Sequence, residues 1–399
     1  MKRYAYRAKD RKTGQVLKGS IQAESERAAG KLLLERGYMP DKLREEGEGI
    51  LAALNNKVTT KDKIVFSRQF ATLIGAGLPL ANALRTIAEQ TQNKAMRTVI
   101  EELLADVEAG KSLGDAMVKH PKVFNKVYLA LVRAGEMSGT LDDSLKRLAV
   151  QQEKDAAMMS KIRGAMTYPA IVLVVIVLVV GFMMFTVVPQ VEKLYDDLRQ
   201  ELPFLTAFLV GMTAFVIEFW WLVAIILAAL VWFFLQFRKT PTGVKFMATF
   251  KLNVPVFKGL FRELYMARFA RTAQILLSTG VAMLDTMEIS GESMNNVVVQ
   301  KSVDEAAEMV RSGKALSESL KGKPYIVLLV PQMASIGEQS GKIDEMLGKA
   351  AQVFEDELDE KLKMISTMIE PILMVVLGVV AGGMVGAILF PIYALVGSI

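Results

Sequence analysis

Two stretches of this chain, residues 170–188 and 372–390, each hold 19 consecutive residues without a charge, and each is bracketed by prolines: Pro169 and Pro189, then Pro371 and Pro391. At about 1.5 Å per helical residue, either run nearly covers the ~30 Å hydrocarbon core of a bilayer. A helix that is apolar all round must be buried in a large core or in lipid, and both runs read as transmembrane helices. Between them lies a 34-residue stretch, 204–237, whose only charge is Glu218. Residues 219–237 read best as its span, with Trp220 and Trp221 at one interface and Arg238 and Lys239 at the other. Residues 204–217 are then an interfacial or splayed helix. Composition fits this segregation, because a mean hydropathy of +0.31 coexists with 23% charged residues.

Charge sets the orientation. Lys154, Lys161 and Arg163 precede the first span, and Arg238, Lys239, Lys245 and Lys251 follow the second, whereas residues 190–203 carry two basic residues against four acidic ones. The positive-inside bias places the N-terminus and residues 238–370 in the cytoplasm and the tail, 392–399, outside. Residues 1–18 are charged and have no apolar core of a cleavable signal.

The chain also repeats itself. Phe66, Arg68, Leu73 and Gly77 recur as Phe269, Arg271, Leu276 and Gly280, an offset of 203; Glu89 pairs with Glu292 and Pro121 with Pro324. After a one-residue slip the offset is 202, matching Gly135-Glu136-Met137-Ser138-Gly139 with Gly337-Glu338-Gln339-Ser340-Gly341, Pro169 with Pro371 and Pro189 with Pro391. Two equivalent units that each end in an outgoing span need one returning span between them, and 219–237 supplies it.

Within the first unit the pattern is helical: Lys63–Ala76 closed by Gly77, Leu80–Gln90, Ala95–Ala109 ended by Gly110, Leu113–Val118 capped by Ser112, Val127–Ala134, and Leu141–Ala157, for which Thr140 and Asp143 form a candidate capping box. The expected fold is an all-α membrane protein. It has two duplicated helical bundles (61–169 and 238–370), three transmembrane helices and a small N-terminal α+β module, read as ββα over 1–44 and followed by a linker over 45–60. In that module Tyr4, Tyr6 and Ala8 alternate, Lys12-Thr13-Gly14 turns, and Ser25 caps a helix ended by Gly37.

Chemistry is sparse. With no Cys and a single His (His120, expected in a surface loop), disulfides, thiolate nucleophiles, His-based metal clusters and a Ser-His-Asp triad are absent. Gly110-Lys111-Ser112 imitates the end of a Walker A loop, but Ala105 stands where its first glycine belongs, no strand precedes it, and the second copy has Ala315 for the hydroxyl. The acidic run Glu355-Asp356-Glu357-Leu358-Asp359-Glu360 reads as a solvated helix face. No catalytic, cofactor or metal residue is assigned. Gly378, Gly382 and Gly386 form a small-residue stripe on one face of the last span, where another helix can approach closely. A transporter would place ionisable residues inside its spans, and the two 19-residue runs have none.

Together these features resemble the inner-membrane platform proteins of type IV pilus and type II secretion machines, the PilC/GspF family. The resemblance rests on Tyr6-Arg7-Ala8-Lys9-Asp10 followed by Gly14 and Gly19, on Gly77-Leu78-Pro79-Leu80, on Gly135–Asp142 with its second copy Gly337–Asp344, and on Tyr168-Pro169 and Glu370-Pro371 leading into the spans. It covers essentially the whole chain and implies a non-enzymatic protein of the bacterial inner membrane. The implied partners are a cytoplasmic hexameric assembly ATPase, pilin or pseudopilin transmembrane helices, inner-membrane alignment proteins, and further copies of this chain as a dimer or trimer; nucleic acid is not among them. Arg68, Arg133, Glu136 and Glu338 are the expected contacts on the bundles, and Gly378, Gly382 and Gly386 those in the membrane.

Overall fold

A computed structural model describes residues 2–10, 16–23, 26–35, 38–45, 57–197, 204–255 and 257–396. The turn at Lys12–Gly14, the Ser25 cap, Gly37, linker residues 46–56 and the end of the tail, 397–399, lie outside the described residues.

The N-terminal module has one strand more than the ββα reading. β1 (Lys2–Asp10), β2 (Val16–Ala23), α1 (Glu26–Glu35) and β3 (Tyr38–Glu45) form an antiparallel sheet of order β2-β1-β3. Pro40 argues against a strand at this position, since proline cannot donate to a ladder and is confined to edges and bulges. Both exceptions apply here. β3 is an edge, and its register with β1 shifts between Arg7↔Lys42 and Ala8↔Pro40, leaving Asp41 unpaired.

The first bundle contains α2 (Thr60–Gly75), α3 (Leu80–Gln90), α4 (Lys94–Glu108), α5 (Leu113–Val118), α6 (Lys126–Ser138) and α7 (Leu141–Thr186). Its core is built on an aromatic chain. Phe66 stacks on Phe70 at 5.3 Å and meets Phe124 at 5.9 Å, and Phe124 meets Tyr128 edge-on at 4.8 Å. Ser67 Oγ lies 3.2 Å from the buried Tyr128 hydroxyl, so the one polar end of that chain is satisfied. Leu84, Ile87, Ile100, Leu103, Leu113, Met117, Leu131 and Leu145 fill the rest.

After α7 come α8 (Val188–Asp197), α9 (Phe204–Glu218), α10 (Trp220–Phe237) and α11 (Pro241–Asn253). The second bundle follows as α12 (Lys258–Ser278), α13 (Met283–Ser293), α14 (Val297–Arg311), α15 (Leu316–Leu320), α16 (Leu329–Ser340) and α17 (Ile343–Val396). The slip in the repeat lies where α6 begins. Asn125 caps α6 through Tyr128 N, whereas Leu328, its counterpart, has helical backbone and no side-chain cap, and α16 is one residue shorter.

Two details depart from the sequence reading. Thr140 makes no capping bond, because its hydroxyl is engaged with Ser138 Oγ at 2.7 Å and its backbone (φ −110°, ψ 40°) is not that of an N-cap. His120 is largely buried rather than at the surface, its Nε2 3.3 Å from Glu102. Ser112 does cap α5, accepting from Asp115 N at 3.1 Å, and Gly110 (φ +85°) terminates α4, which is the structural account of the imitation Walker sequence.

Among the described residues, three helices are long and apolar enough to cross a membrane. Two of them do not start at the membrane. α7 runs 46 residues from the first bundle through Pro169, and α17 runs 54 residues from the second through Pro371 and Pro391. Each proline leaves the carbonyl four residues earlier without its helical donor. Pro169 and Pro371 place that loss just outside the charge-free runs, where water can compensate it. α9 packs against α7, α8 and α17 as well as α10.

The bundles are not separate bodies. Ile275 and Leu276 of α12 belong to the core of the first bundle, while Met158, Ile162 and Ala165 of α7 pack on the core of the second. The stems of α7 and α17 are pinned by Lys154–Glu355 at 3.1 Å and Lys161–Asp359 at 2.5 Å. The acidic run is therefore partly a docking face, with Glu355 only 16% exposed and shared with Arg271. Leu276→Ala should cost about 2–5 kcal/mol, as for other buried leucines. Thermal unfolding of the purified full chain measures this, and limited proteolysis should show the first bundle losing protection although the substitution is in the second.

Candidate partner surfaces

The Gly-Glu-x-Ser-Gly segments form the α6–α7 and α16–α17 corners. The first residues of a helix have backbone donors without intrahelical partners and the positive end of the macrodipole, so a carboxylate is favoured there. Glu136 fills that role for α5, accepting from Leu113 N at 2.5 Å and Gly114 N at 2.9 Å. Glu338 does so for α15, accepting from Ser317 N at 3.2 Å and Ser317 Oγ at 2.5 Å. The Ser317 hydroxyl offsets the loss of the Ser112 cap, which is Ala315 in the second copy. Gly139 and Gly341 close the corners in left-handed backbone (φ +70° for each), and Thr140 N and Lys342 N bond back to Gly135 O and Gly337 O at 2.9 Å. Removing the carboxylate leaves two backbone donors uncapped. Glu136→Ala should therefore lower stability by about 1.5–3 kcal/mol, read as a drop in melting temperature that Glu136→Gln partly restores.

Arg68 and Arg133 are exposed but engaged. Arg68 holds Glu153 through Nε and Nη2 at 2.9 and 3.1 Å, and its repeat counterpart Arg271 holds Glu355 at 2.8 Å. Arg133 pairs with Asp115 at 3.0 Å, and its stem covers Gly114, where a Cβ would lie 2.6 Å from Arg133 Cγ. The structure thus gathers Arg133 and Glu136 around one helix start. Arg68 lies in a separate crevice with Asp142, Asp143 and Lys146, Glu338 in the second bundle, and the glycines in the last span.

Sequence reasoning missed a groove of about 810 Å³ between α6 and the α12–α13 turn. Leu129, Ala130, Val281 and Ile289 form its floor, Arg133 its edge, and Met137, 90% exposed, its rim. Lys126 crosses it to Glu292 at 2.5 Å and Glu288 at 3.7 Å; the Glu292 hydrogen bond holds the ammonium pKa above its ordinary value. Burial, with Glu288 and Glu292 nearby, pushes the Asp304 carboxyl upward. The signal available in the sequence was Met137, a methionine inside an otherwise polar corner.

In the last span, Gly378, Gly382 and Gly386 would each present an added Cβ to open space. Among the described residues, no side chain of this chain fills that face. Small residues let helix backbones approach closely in lipid.

Similarity to known proteins follows the same architecture. The profile of type II secretion system (T2SS) protein F matches twice, at residues 66–189 and 269–391, and that of its N-terminal domain matches residues 1–44. Type IV pilus assembly protein PilC of Thermus thermophilus is 37% identical over 99% of this chain and 98% of its own length. The PilC of Pseudomonas aeruginosa is 35% identical over 91% of this chain and 97% of its own length. Type II secretion system protein F of the same organism is 32% identical over 96% of both chains.

Proposed function

The chain belongs to the type II secretion system protein F family, and on that premise we propose that it is the inner-membrane platform of a type IV pilus assembly machine. It couples a cytoplasmic hexameric ATPase to the extraction of pilin subunits from the membrane into a fibre. The observation that carries this reading is the pair of unbroken helices, α7 and α17, that join each bundle directly to a span. A force applied to the bundles has no flexible joint to dissipate it before the bilayer. Hydrolysis is the partner's work; this chain supplies rigid bundles with paired stems. The assembly ATPase seats on the bundles, with the groove at Met137 and Arg133 as its contact, and pilin helices meet the face of Gly378, Gly382 and Gly386. Alignment proteins of the inner membrane and further copies of this chain complete the site, since three spans are too few to surround a moving helix.

The bundles face the cytoplasm and the C-terminus faces outward in this reading. The chain has no native cysteine, so single cysteines at Met137 and in the 190–203 segment are unique labels. A membrane-impermeant maleimide should label the second in intact spheroplasts and the first only after lysis; the opposite pattern overturns the orientation.

The 32% identity to a secretion-system protein F supports a second reading, the equivalent platform of a pseudopilus. Deleting the gene separates the two. Loss of surface pili with normal protein secretion supports the pilus platform, and loss of secretion with intact pili supports the alternative.

A further inference from the structure

From Phe219 to Arg262 the chain contains no acidic residue, yet it carries Arg238, Lys239, Lys245, Lys251 and Lys258 before Arg262 itself. α11 lies in the middle of this stretch, with three residues between it and the end of α10. Its corner is tightly made. Thr240 Oγ1 donates to Phe237 O at 2.7 Å and accepts from Gly243 N at 3.0 Å, with Pro241 at the first helical position. Gly243 is required there, because a Cβ would lie 1.8 Å from Phe237 O. The inner face of α11 is held by the second bundle: Ala248 and Leu252 are buried, and Asn296 Nδ2 donates to Ala248 O at 3.2 Å.

The outer face is apolar and uncovered. Phe246 and Phe250, one turn apart, are 57% and 53% exposed. They continue a ladder of rings out of the span: Phe233 to Phe237 at 6.2 Å, Phe237 to Phe246 at 6.1 Å, and Phe246 to Phe250 at 6.1 Å. Phe237 is the last residue of α10, so the Phe246 ring set edge-on against it lies at the level where the apolar span ends. Lys245 and Lys251 flank the two rings on either side, Lys251 Nζ lying 5.9 Å from the centroid of the Phe261 ring. We infer that α11 is an in-plane membrane helix that binds the anionic phospholipid surface of the bundle-side leaflet, inserting Phe246 and Phe250 below the headgroups while its lysines and the Arg238–Lys239 corner hold their phosphates.

Two independent features identify this occupant. Continuity of the aromatic ladder with the span gives the depth, and a helix with phenylalanines on one side and lysines beside them is the pattern of interfacial helices. Charge complementarity gives the lipid class: basic residues beside a span attract anionic headgroups, and no carboxylate in the segment competes for them. A protein partner on this face would have to displace lipid from rings that start inside the bilayer. The second bundle is thereby tied to the membrane at two places, the stem of α17 and α11, whereas the first is tied by α7 alone.

The test uses the full chain reconstituted in phosphatidylcholine vesicles with 30% phosphatidylglycerol, carrying one nitroxide through Phe246→Cys, Phe250→Cys or, as a water-exposed reference, Met137→Cys. The labels at 246 and 250 should show an oxygen-to-nickel-chelate accessibility ratio roughly tenfold that at 137, as for a residue buried ~5–10 Å into the interface. A bromine-labelled phosphatidylglycerol should quench a fluorophore at 250 several-fold more than the matching phosphatidylcholine. Lys239→Gln with Lys245→Gln should bring the two lipids towards parity. Water-like accessibility at both 246 and 250, or equal quenching by the two lipids of the fluorophore at 250 while Lys239 and Lys245 are present, overturns the inference. The two label positions are read separately, so poor folding of one variant leaves the other to decide.

Discussion

A chain carrying Gly382→Leu and Gly386→Leu should reach the membrane in normal amounts and leave its host without surface pili. The expectation separates assembly from folding. Among the described residues nothing lies within 4 Å of a Cβ at either position, so two leucines meet no described neighbour of their own and fit a lipid-facing helix as well as its other leucines do. A partner helix loses the close backbone approach, which in lipid is the main contact available to it. Pilus counts by electron microscopy, with immunoblots of membrane fractions as the control, measure the result. Normal piliation at normal abundance would show that the open face is not where pilin helices are received. Gly378→Ala, a change of one methyl group in the same open band, should leave both readouts within error.

Gly337→Ala should do the reverse and remove the protein itself. A Cβ there would sit 2.6 Å from Ile343 Cα, 3.1 Å from Ile343 N and 3.2 Å from Lys342 O. All three are backbone atoms at the start of α17, and no rotamer change relieves the contact. Displacing the corner moves a 54-residue helix packed along α12 and α16. Overpacking usually costs about 1–3 kcal/mol, and a clash between two main chains belongs at or above the top of that range. For a folding unit of 150–250 residues this corresponds to a melting temperature lower by roughly 6–12 °C. Differential scanning fluorimetry of the detergent-purified chain measures it, and an unchanged melting temperature would mean that the corner opens freely. Gly135→Ala meets chiefly the Ser144 side chain, with Leu141 Cα at 3.0 Å, and should cost less.

The spans, the duplication and most helix ends were legible from local pattern: charge-free length, a fixed offset, glycines at the helix ends. Several features were not, for physical reasons. Pro40 forbids a central strand, and only the sheet order reveals an edge with a bulge to receive it. Pro169 and Pro371 look like boundaries, yet the helix continues through both. The acidic run at 355–360 reads as solvated because the lysines that engage it, Lys154 and Lys161, lie about 200 positions away, on the stem of the other copy. Arg68, Glu136 and Glu338 stand out as charged residues in a repeated pattern, with Arg133 as an unrepeated charge beside it; that pattern equally encodes the intrachain bonds the structure displays. Of the groove only Met137 leaves a trace in the sequence, since its walls come from both copies and depend on how the copies dock.

The sharing of core residues between the bundles also bears on how the protein is made. Ile275 and Leu276 emerge from the ribosome more than a hundred residues after Leu148, the last core residue of the first bundle. At about 5–20 residues per second, the first bundle waits roughly 6–25 s with a gap in its core. During that interval its stem has already been threaded into the bilayer. The nascent protein is thus a half-built unit moored to the membrane, and completing it depends on the translation of its own second copy. Ribosome pausing between residues 190 and 260 should accordingly expose the first bundle to quality-control proteases more than pausing after residue 280.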